Sequence, residues 1–544
     1  MVLSPIAYDG TRTPLKTVLF VVVCLAWLLP GLVGHDPWKL DEALVFGVVS
    51  EMVRSGDWVS FRIAGEPFLD KAPLFLWTAA ALAKLLGGLI PLHDAARLAA
   101  GVYAALTLGL LSATSLELMG ERAMRMSVLL FIGCIGLLIR AHEMSTDLAG
   151  LTGVALALYG LVLARRRPVV GGAIAGAGMG VAFLGDGCLP LGMLVTLLAM
   201  LPLASPLWRT RAYAITAATA LACAAPLVAL WPLVLSLHSP AGLQIWLDNT
   251  VGPTWSSPLG DGLGLLYYVR ILPWYAWPAW PLAAWTLWRA RRTLRQRVDL
   301  QLPLIAAIAF FLTVSVFGDS REVNAMPMLL PLVLLGVAEL ETIPRGAASA
   351  LDWFGMTTFF LFAALIWIGW VAAITGRPEF AAAFLQKEVP GFTYKFSFVA
   401  FALAALLTLI WLVVVARSLR STRRAVVNWT AGITMVWMLI MTLGVPLVDQ
   451  ARSYRAVSSR LVAALPPDFK CVARRNVGDA QRALLDYFVN MTTIRDDFPA
   501  AGHCRALLVQ ATPLRIPAVG AGWTEAWRGS RPGDRNELFI LYKR

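Results

Sequence analysis

The chain has 544 residues, of which 58% are hydrophobic and 15% are charged, and its mean hydropathy is +0.69. Soluble domains average about 45–50% apolar and about 25% charged residues, so this composition excludes an ordinary soluble domain. The 46 Lys and Arg residues exceed the 33 Asp and Glu residues, which gives a net charge of +13. In a membrane protein such a surplus is typical of basic cytoplasmic loops. We therefore expect a polytopic membrane protein that does not bind nucleic acid.

The first apolar run, residues 15–34, is long enough to cross a bilayer. No clear small-residue cleavage site follows it, so it is predicted to be the first transmembrane helix and not a cleaved signal peptide. Further apolar stretches lie at 73–91, 96–117, 122–140, 146–164, 168–184, 187–206, 213–236, 266–289, 299–317, 326–345, 352–374, 395–416 and 424–447.

Arginine clusters fix the orientation of these stretches, because Lys and Arg accumulate at cytoplasmic ends. They lie at 165–167, 209–211, 289–297 and 417–424. An inside amino terminus and an inside Arg165 require an even number of crossings, yet five apolar stretches precede Arg165. We expect 73–91 to lie on the outer surface, which leaves about 13 transmembrane helices. The loops 35–72, 237–265, 318–325 and 375–394 then share the outer side with the tail.

The tail, residues 450–544, alternates short apolar runs with one helical stretch and is predicted to be a small external α/β domain. Residues 1–449 form the predicted membrane domain, which includes a first external loop at 35–95. Cys471 and Cys504 fall in the tail, where an oxidising compartment favours a disulfide between them. The other four cysteines fall in apolar spans, where cysteine is usually a small buried hydrophobe.

The first loop is rich in carboxylates. Asp41 and Glu42 precede a stretch whose apolar residues recur at helical spacing, so the pair is predicted to open a helix. An ordinary helix cap is one interpretation of that pair. A functional interpretation gains weight from the motifs that follow: Glu51-Met52, Gly56-Asp57-Trp58, and Gly65-Glu66-Pro67-Phe68-Leu69-Asp70-Lys71-Ala72-Pro73.

This order of motifs resembles the first periplasmic loop of the polyprenyl-phosphate-dependent GT-C glycosyltransferases. Within that group it most resembles the 4-amino-4-deoxy-L-arabinose transferases that modify lipid A and the related protein O-mannosyltransferase-like family. Weaker likenesses are the turn at 180–187, the region 246–274, and Arg321 with the prolines that follow it. The chain departs from the family pattern at Val45, Asp186, Asp261 and Asn324, where the family usually has Tyr, Lys, His and Tyr.

The resemblance implies a reaction that needs a base for the acceptor and positive charge for the departing phosphate. Asp41 matches the position of the base, and its neighbour Glu42 is an equal alternative. Asp147 is expected to contact substrate or to pair with Lys71, because an ionisable residue at membrane depth is expensive unless it has a partner.

Lys71 matches the position that binds the donor phosphate; the alternative is a lysine that extends its ammonium to the lipid headgroups. Arg270, beside Tyr267 and Tyr268, is a second candidate, and an interfacial arginine in an aromatic belt is its alternative. Arg97 and Arg321 are further candidates.

By analogy with the family, Asp70 and Asp261 are candidate ligands of a divalent cation, although no cofactor is required. The expected partners are a polyprenyl-phosphate sugar donor, a lipid or glycan acceptor and membrane lipid. We expect a monomer in a bacterial inner membrane, with its active site facing the periplasm. One large cavity, lined by Asp41, Lys71, Asp147 and Arg270, is predicted beneath the first loop.

Two alternatives remain at this level. A related transferase would modify protein Ser/Thr or another envelope glycan in place of lipid A. A transporter or flippase would need ionisable residues at the bilayer midplane and related halves of the sequence, whereas the polar groups here gather on one predicted surface and no repeat is visible.

Overall fold

The computed structural model describes residues 14–38, 41–251, 264–417, 421–465, 469 and 471–544. Helices dominate these ranges. The amino-terminal half contains Pro14–Leu28, Asp41–Ser55, Pro73–Leu86, Leu92–Met119, Glu121–Ile132, Asp147–Leu163, Pro168–Asp186, Cys188–Ala204, Arg211–His238 and Pro240–Trp246. The remainder contains Gly264–Tyr275, Ala279–Ala290, Val298–Phe317, Leu329–Ala338, Arg345–Thr375, Glu379–Glu388, Phe398–Arg417, Arg424–Leu439, Val445–Arg452, Arg455–Ala463 and Asp479–Val489.

Seven helices in the described ranges are long and apolar enough to cross a membrane, and a bent pair brings the number to as many as eight. Shorter apolar helices of 10–17 residues accompany them, among them Pro73–Leu86. That helix has 14 residues, so it spans about 21 Å at 1.5 Å per residue, less than the hydrocarbon thickness of about 30 Å. A total of 13 crossings stays a prediction.

The stretch 122–140, predicted as one span, is broken. Helix Glu121–Ile132 ends at Gly133, and the short segment Ile135–His142 leaves it at 64°. At Gly136 a β-carbon would lie 2.4 Å from the ring of Tyr275, so that contact requires glycine. The break matters to the site, because it turns the end of the segment toward the first loop.

One end of the helical body carries the arginine clusters, and we call it the arginine face. Here Arg166 pairs with Glu117 at 3.4 Å and Arg424 pairs with Asp352 at 2.9 Å. Arg423 also pairs with Glu341 at this end. The opposite end, which we call the loop face, carries the described residues of 35–72, 318–324 and the carboxyl-terminal 453–544.

Helices Asp147–Leu163 and Pro168–Asp186 form a tightly packed antiparallel pair. At Gly153 a β-carbon would lie 2.2 Å from the backbone nitrogen of Ala182, so the two backbones touch. Small residues permit this close approach between membrane helices. Because the pair is antiparallel, Asp147 at its beginning and Asp186 at its end lie side by side at the loop face.

The carboxyl-terminal residues form a five-stranded sheet. Strands β3 (Val472–Arg475), β4 (Thr493–Arg495), β5 (Ala506–Ala511), β6 (Thr524–Gly529) and β7 (Leu538–Lys543) lie in the order β4-β3-β5-β7-β6. The pairs β3–β4 and β3–β5 are parallel, and β7 is antiparallel to its two neighbours. Cys471 and Cys504 form a disulfide at the sheet.

The carboxyl-terminal residues pack directly on the first loop. Helix Asp41–Ser55 contacts helix Asp479–Val489 so closely that a β-carbon at Gly47 would lie 2.4 Å from that of Ala483. The loop also contains a two-stranded hairpin, β1 (Arg62–Ile63) and β2 (Glu66–Pro67). This packing fixes the position of the loop residues that form the candidate site.

Candidate functional site

Asp41 lies at the centre of a charged cluster on the loop face. Its carboxylate is 3.3 Å from Nη1 of Arg140 and 3.4 Å from Nη2 of Arg321. The Asp41 side chain is 20% exposed, so an acceptor oxygen can approach it. The structure therefore brings together two residues singled out in the sequence, Asp41 and Arg321, and adds a third that the sequence reasoning missed.

That third residue, Arg140, comes from the segment beyond the helix break at Gly133. Its guanidinium also lies 3.3 Å from Glu143 and 3.1 Å from Glu322. The signal that could have identified it is the sequence Arg140-Ala-His-Glu143, in which charged residues follow directly on an apolar stretch. If 122–140 is taken as one straight helix, the sequence does not show which way Arg140 and Glu143 point. The break at Gly133 turns them toward Asp41.

Glu143 is a carboxyl of this cluster with a raised pKa. Burial and the neighbouring negative charges of Glu42 and Asp41 raise its pKa to about 7, and the nearby Arg140 opposes the rise. A carboxyl with such a pKa exchanges its proton near neutral pH, which is the property of an acid or base in catalysis.

Glu42 and Arg97 form a buried ion pair behind Asp41. Nε of Arg97 donates to Glu42 at 2.6 Å, its Nη1 donates to Asp94 at 2.7 Å and its Nη2 donates to the carbonyl of His35 at 3.1 Å. The Arg97 side chain has no exposed surface, and that of Glu42 is 2% exposed. Arg97 is thus enclosed and does not face a donor phosphate, which corrects the expectation from sequence. Glu42, for the same reason, is a poorer candidate for the base than Asp41.

Asp147 and Asp186 are adjacent, and Asp147 accepts a hydrogen bond from the hydroxyl of Ser145. Together with Asn324 and apolar side chains they line a narrow cavity. Lys71 and Arg321 lie close enough to act electrostatically on Asp186. Lys71 is half-buried and forms no ion pair within the described ranges.

This cavity differs from the one predicted from the sequence. Asp147 lines it as expected, but Asp41, Lys71 and Arg270 do not. Its other lining residues come mainly from the segments 186–193 and 323–327, and none of them belongs to the first loop.

Tyr267 and Tyr268 differ in their burial and in their contacts. Tyr268 is fully buried, and its hydroxyl donates to the carbonyl of Asp319, which holds the segment that carries Arg321. Tyr267 is half-buried and lies within electrostatic range of Arg321 and Glu322. Arg270 is exposed, and the described residues provide it with neither an ion pair nor a hydrogen bond in this cluster. The structure thus connects the tyrosines, but not Arg270, with the charged cluster.

Of the two candidate metal ligands, Asp70 lies among the residues that the structure describes. Asp70 accepts a hydrogen bond from the Asn249 side chain at 2.6 Å, and Asp261 lies outside the described residues. No group of three or more His, Cys, Asp or Glu side chains within those ranges could hold a metal ion. A cation site formed by Asp70 and Asp261 therefore stays a prediction.

Two solved structures share the fold over nearly the whole chain. The crystal structure of ArnT from Cupriavidus metallidurans bound to undecaprenyl phosphate has a TM-score of 0.66 and 17% identity, with 97% of this chain and 98% of that chain covered. The same protein in its apo state gives 0.64 and 16%, with the same coverage. This chain therefore has the ArnT fold.

A more distant likeness connects the chain with an archaeal enzyme. The Archaeoglobus fulgidus oligosaccharyltransferase, tethered with an acceptor peptide, gives a TM-score of 0.50 at 12% identity, with 90% of this chain and 64% of that chain covered. No protein-family model and no curated protein matches the sequence.

Proposed function

We propose that this protein is a GT-C glycosyltransferase that moves a sugar from a polyprenyl phosphate to an acceptor of the cell envelope. Aminoarabinose transfer to lipid A is the proposed specific reaction. The observation that carries the proposal is the carboxylate of Asp41 between two guanidiniums on the loop face, in a chain with the fold of a protein bound to undecaprenyl phosphate. The loop face is proposed to meet the periplasm of a bacterial inner membrane.

Lys71 is proposed to hold the donor phosphate. It belongs to the same first loop as Asp41, and its ammonium is without an ion pair among the described side chains. A lysine ammonium binds phosphate as a compact point charge. Positive charge at this position would stabilise the phosphate as it leaves the sugar, and Arg321, within electrostatic range of the same Asp186, would add to it.

Asp41 is proposed to be the base. Its carboxylate would accept the proton of the acceptor oxygen as that oxygen attacks the anomeric carbon, while the bond from that carbon to the donor phosphate breaks. Asp41 is preferred over Glu42 because the latter is buried against Arg97. Arg140 and Arg321 would position the Asp41 carboxylate, since each lies within 3.4 Å of it.

Asp147 and Asp186 are proposed to contact the transferred sugar. Two adjacent carboxylates beside Lys71 and Arg321 offer acceptors for hydroxyl groups and a favourable environment for a cationic amine. An amino sugar combines these features, which supports aminoarabinose over a neutral hexose. A Ser/Thr side chain of a protein and another envelope glycan are the alternative acceptors.

Mass spectrometry of lipid A tests the proposed acceptor. Cells with the protein should contain lipid A forms heavier by one aminoarabinose residue, and cells without it should lack them. Unchanged lipid A spectra would remove this acceptor, and analysis of envelope glycans and membrane proteins from the same cells would then identify the alternative.

A further inference from the structure

A second cavity lies on the loop face, and neither Asp41 nor Lys71 lines it. It has a volume of about 300 Å³ and opens where the β1–β2 hairpin meets the carboxyl-terminal sheet. Its charged lining consists of Arg474, Arg482 and Arg495 with Glu66 and Asp479. Three guanidiniums against two carboxylates leave the lining with an excess of positive charge.

The inner wall of this cavity already binds one carboxylate. Nη2 of Arg474 lies 2.5 and 2.6 Å from the two oxygens of Glu66, and Nη2 of Arg482 lies 3.1 Å from one of them. The Arg474 and Arg482 side chains are only 9% and 4% exposed. The wall therefore recognises an oxyanion through buried guanidiniums.

The donors of this wall are not exhausted. Nε of Arg474 and Nε of Arg482 are buried, and neither finds a hydrogen-bond acceptor among the described residues. A buried donor without an acceptor is unfavourable. Both residues line the cavity, so an anion placed there lies against guanidiniums whose donors are not all used.

Arg495 lies at the rim of the cavity and supplies a third guanidinium. Its side chain is 51% exposed and forms two hydrogen bonds to Asp497, at 3.0 and 2.6 Å. Exposed ion pairs of this kind stabilise a protein only weakly. Arg495 is thus free to exchange the Asp497 carboxylate for a ligand at low cost.

We propose that this cavity binds a phosphate monoester or diester. Phosphate matches the fork of an arginine guanidinium, and its tetrahedral oxygens reach more donors than a planar carboxylate can. The phosphate lies between Arg495 at the rim and the guanidiniums of Arg474 and Arg482 in the wall. Its source is either a lipid headgroup or free phosphate. The proposal does not depend on the sugar-transfer activity.

A ligand in this cavity touches the same structural unit as the candidate site. Glu66, held by Arg474 and Arg482, precedes Lys71 by five positions in the first loop. A bound phosphate therefore adds contacts between the carboxyl-terminal sheet and that loop. We expect it to stabilise the docking of the two.

Calorimetric titration of the purified full chain with inorganic phosphate tests the proposal. The protein is kept in a non-ionic detergent and a phosphate-free buffer. The test variant is Arg495→Gln, and the control is Arg528→Gln, since Arg528 is also about half exposed and also forms two hydrogen bonds to a nearby carboxylate, Glu525. Replacing either exposed side chain leaves the fold intact.

The expected result is saturable phosphate binding by the wild type, weakened about tenfold in Arg495→Gln and unchanged in Arg528→Gln. Absence of phosphate binding by the wild type, or equal binding by Arg495→Gln, overturns the proposal. Vesicles of phosphatidylcholine with or without phosphatidic acid then distinguish the source. If phosphatidic acid competes with inorganic phosphate, the natural ligand is a lipid headgroup. If phosphate binding persists in the presence of phosphatidic acid, the ligand is free phosphate.

Discussion

The carboxylate of Asp41 lies 3.4 Å from the guanidinium of Arg321, although 280 residues separate them in the sequence. The contact joins the start of the first loop helix to a short segment between two apolar helices. Arg140 approaches the same carboxylate from a third segment, at 3.3 Å. Positions far apart in the chain thus form one charged cluster on the loop face, and its chemistry leads to the predictions below.

Replacement of Lys71 tests the donor site. Lys71→Ala should raise the KM for the polyprenyl-phosphate donor about ten- to hundredfold, because a charge-assisted contact to phosphate is lost. Lys84→Ala is the matched control, since Lys84 is exposed on the helix that follows the same loop. Steady-state kinetics with varied donor measures both. A Lys71→Ala enzyme with an unchanged donor KM would exclude this residue from the phosphate site.

Arg97 should act on stability and not on donor binding. Arg97→Ala leaves the buried carboxylates of Glu42 and Asp94 without their partner, and breaking a buried pair in this way costs about 3–5 kcal/mol. Thermal denaturation in detergent should show a large loss of stability. A variant with the melting temperature of the wild type but a raised KM for the donor would instead indicate that Arg97 belongs to the phosphate site.

The sequence predicts most of the apolar helices because hydrophobic length has a direct physical meaning in a bilayer, while the number of crossings and their orientation stay predictions. Local motifs also single out Asp41 and Arg321, which the structure brings together, while the roles of these residues and of Lys71 stay predictions. It does not reveal Arg140, because the break after Ile132 depends on how Gly136 packs against Tyr275, a tertiary contact.

The burial of Arg97 escapes sequence reasoning for a similar reason. Its partner Glu42 is 55 positions away, and an arginine near a predicted membrane boundary has the same local sequence whether it binds a ligand or an interior carboxylate. The pairing of Asp147 with Asp186 likewise depends on backbone contact between their helices at Gly153 and Ala182. Such pairings become visible only when the helices are assembled.

The raised pKa of Glu143 should be visible in the pH dependence of stability. Its pKa is raised from 4.5 to about 7, chiefly by burial, so between these values the folded protein keeps a proton that the unfolded chain has lost. This group therefore lowers stability as pH rises from 4.5 to about 7. Glu143→Gln should flatten this part of the profile in thermal denaturation, and Glu379→Gln, at an exposed carboxyl, should not. An unaltered slope in Glu143→Gln would contradict the assignment.

The placement of residues 73–91 is testable with single cysteines. Gly88 and Gly346 are both exposed, with open space where a β-carbon would stand. Gly88 lies near the loop face, and Gly346 lies near the arginine face. Gly88→Cys should react with an impermeant thiol reagent added outside intact cells, and Gly346→Cys should be protected. The wild type gives the background from its own cysteines. Protection of Gly88→Cys together with labelling of Gly346→Cys would reverse the proposed orientation.

The most direct measurement of the central claim is sugar transfer by the purified protein. The protein is incubated with undecaprenyl-phosphate-linked aminoarabinose and lipid A, and the products are identified by mass spectrometry. Glu51→Gln, on the same helix as Asp41, is the control for Asp41→Asn.

We predict sugar-modified lipid A and free undecaprenyl phosphate with the wild type and with Glu51→Gln. Asp41→Asn should fold and reduce the rate about 10²–10⁴-fold, the usual contribution of a general base. Wild-type activity in Asp41→Asn would contradict the assigned base. Donor that stays intact with the wild type, across lipid, glycan and peptide acceptors, would contradict the proposed glycosyltransferase itself.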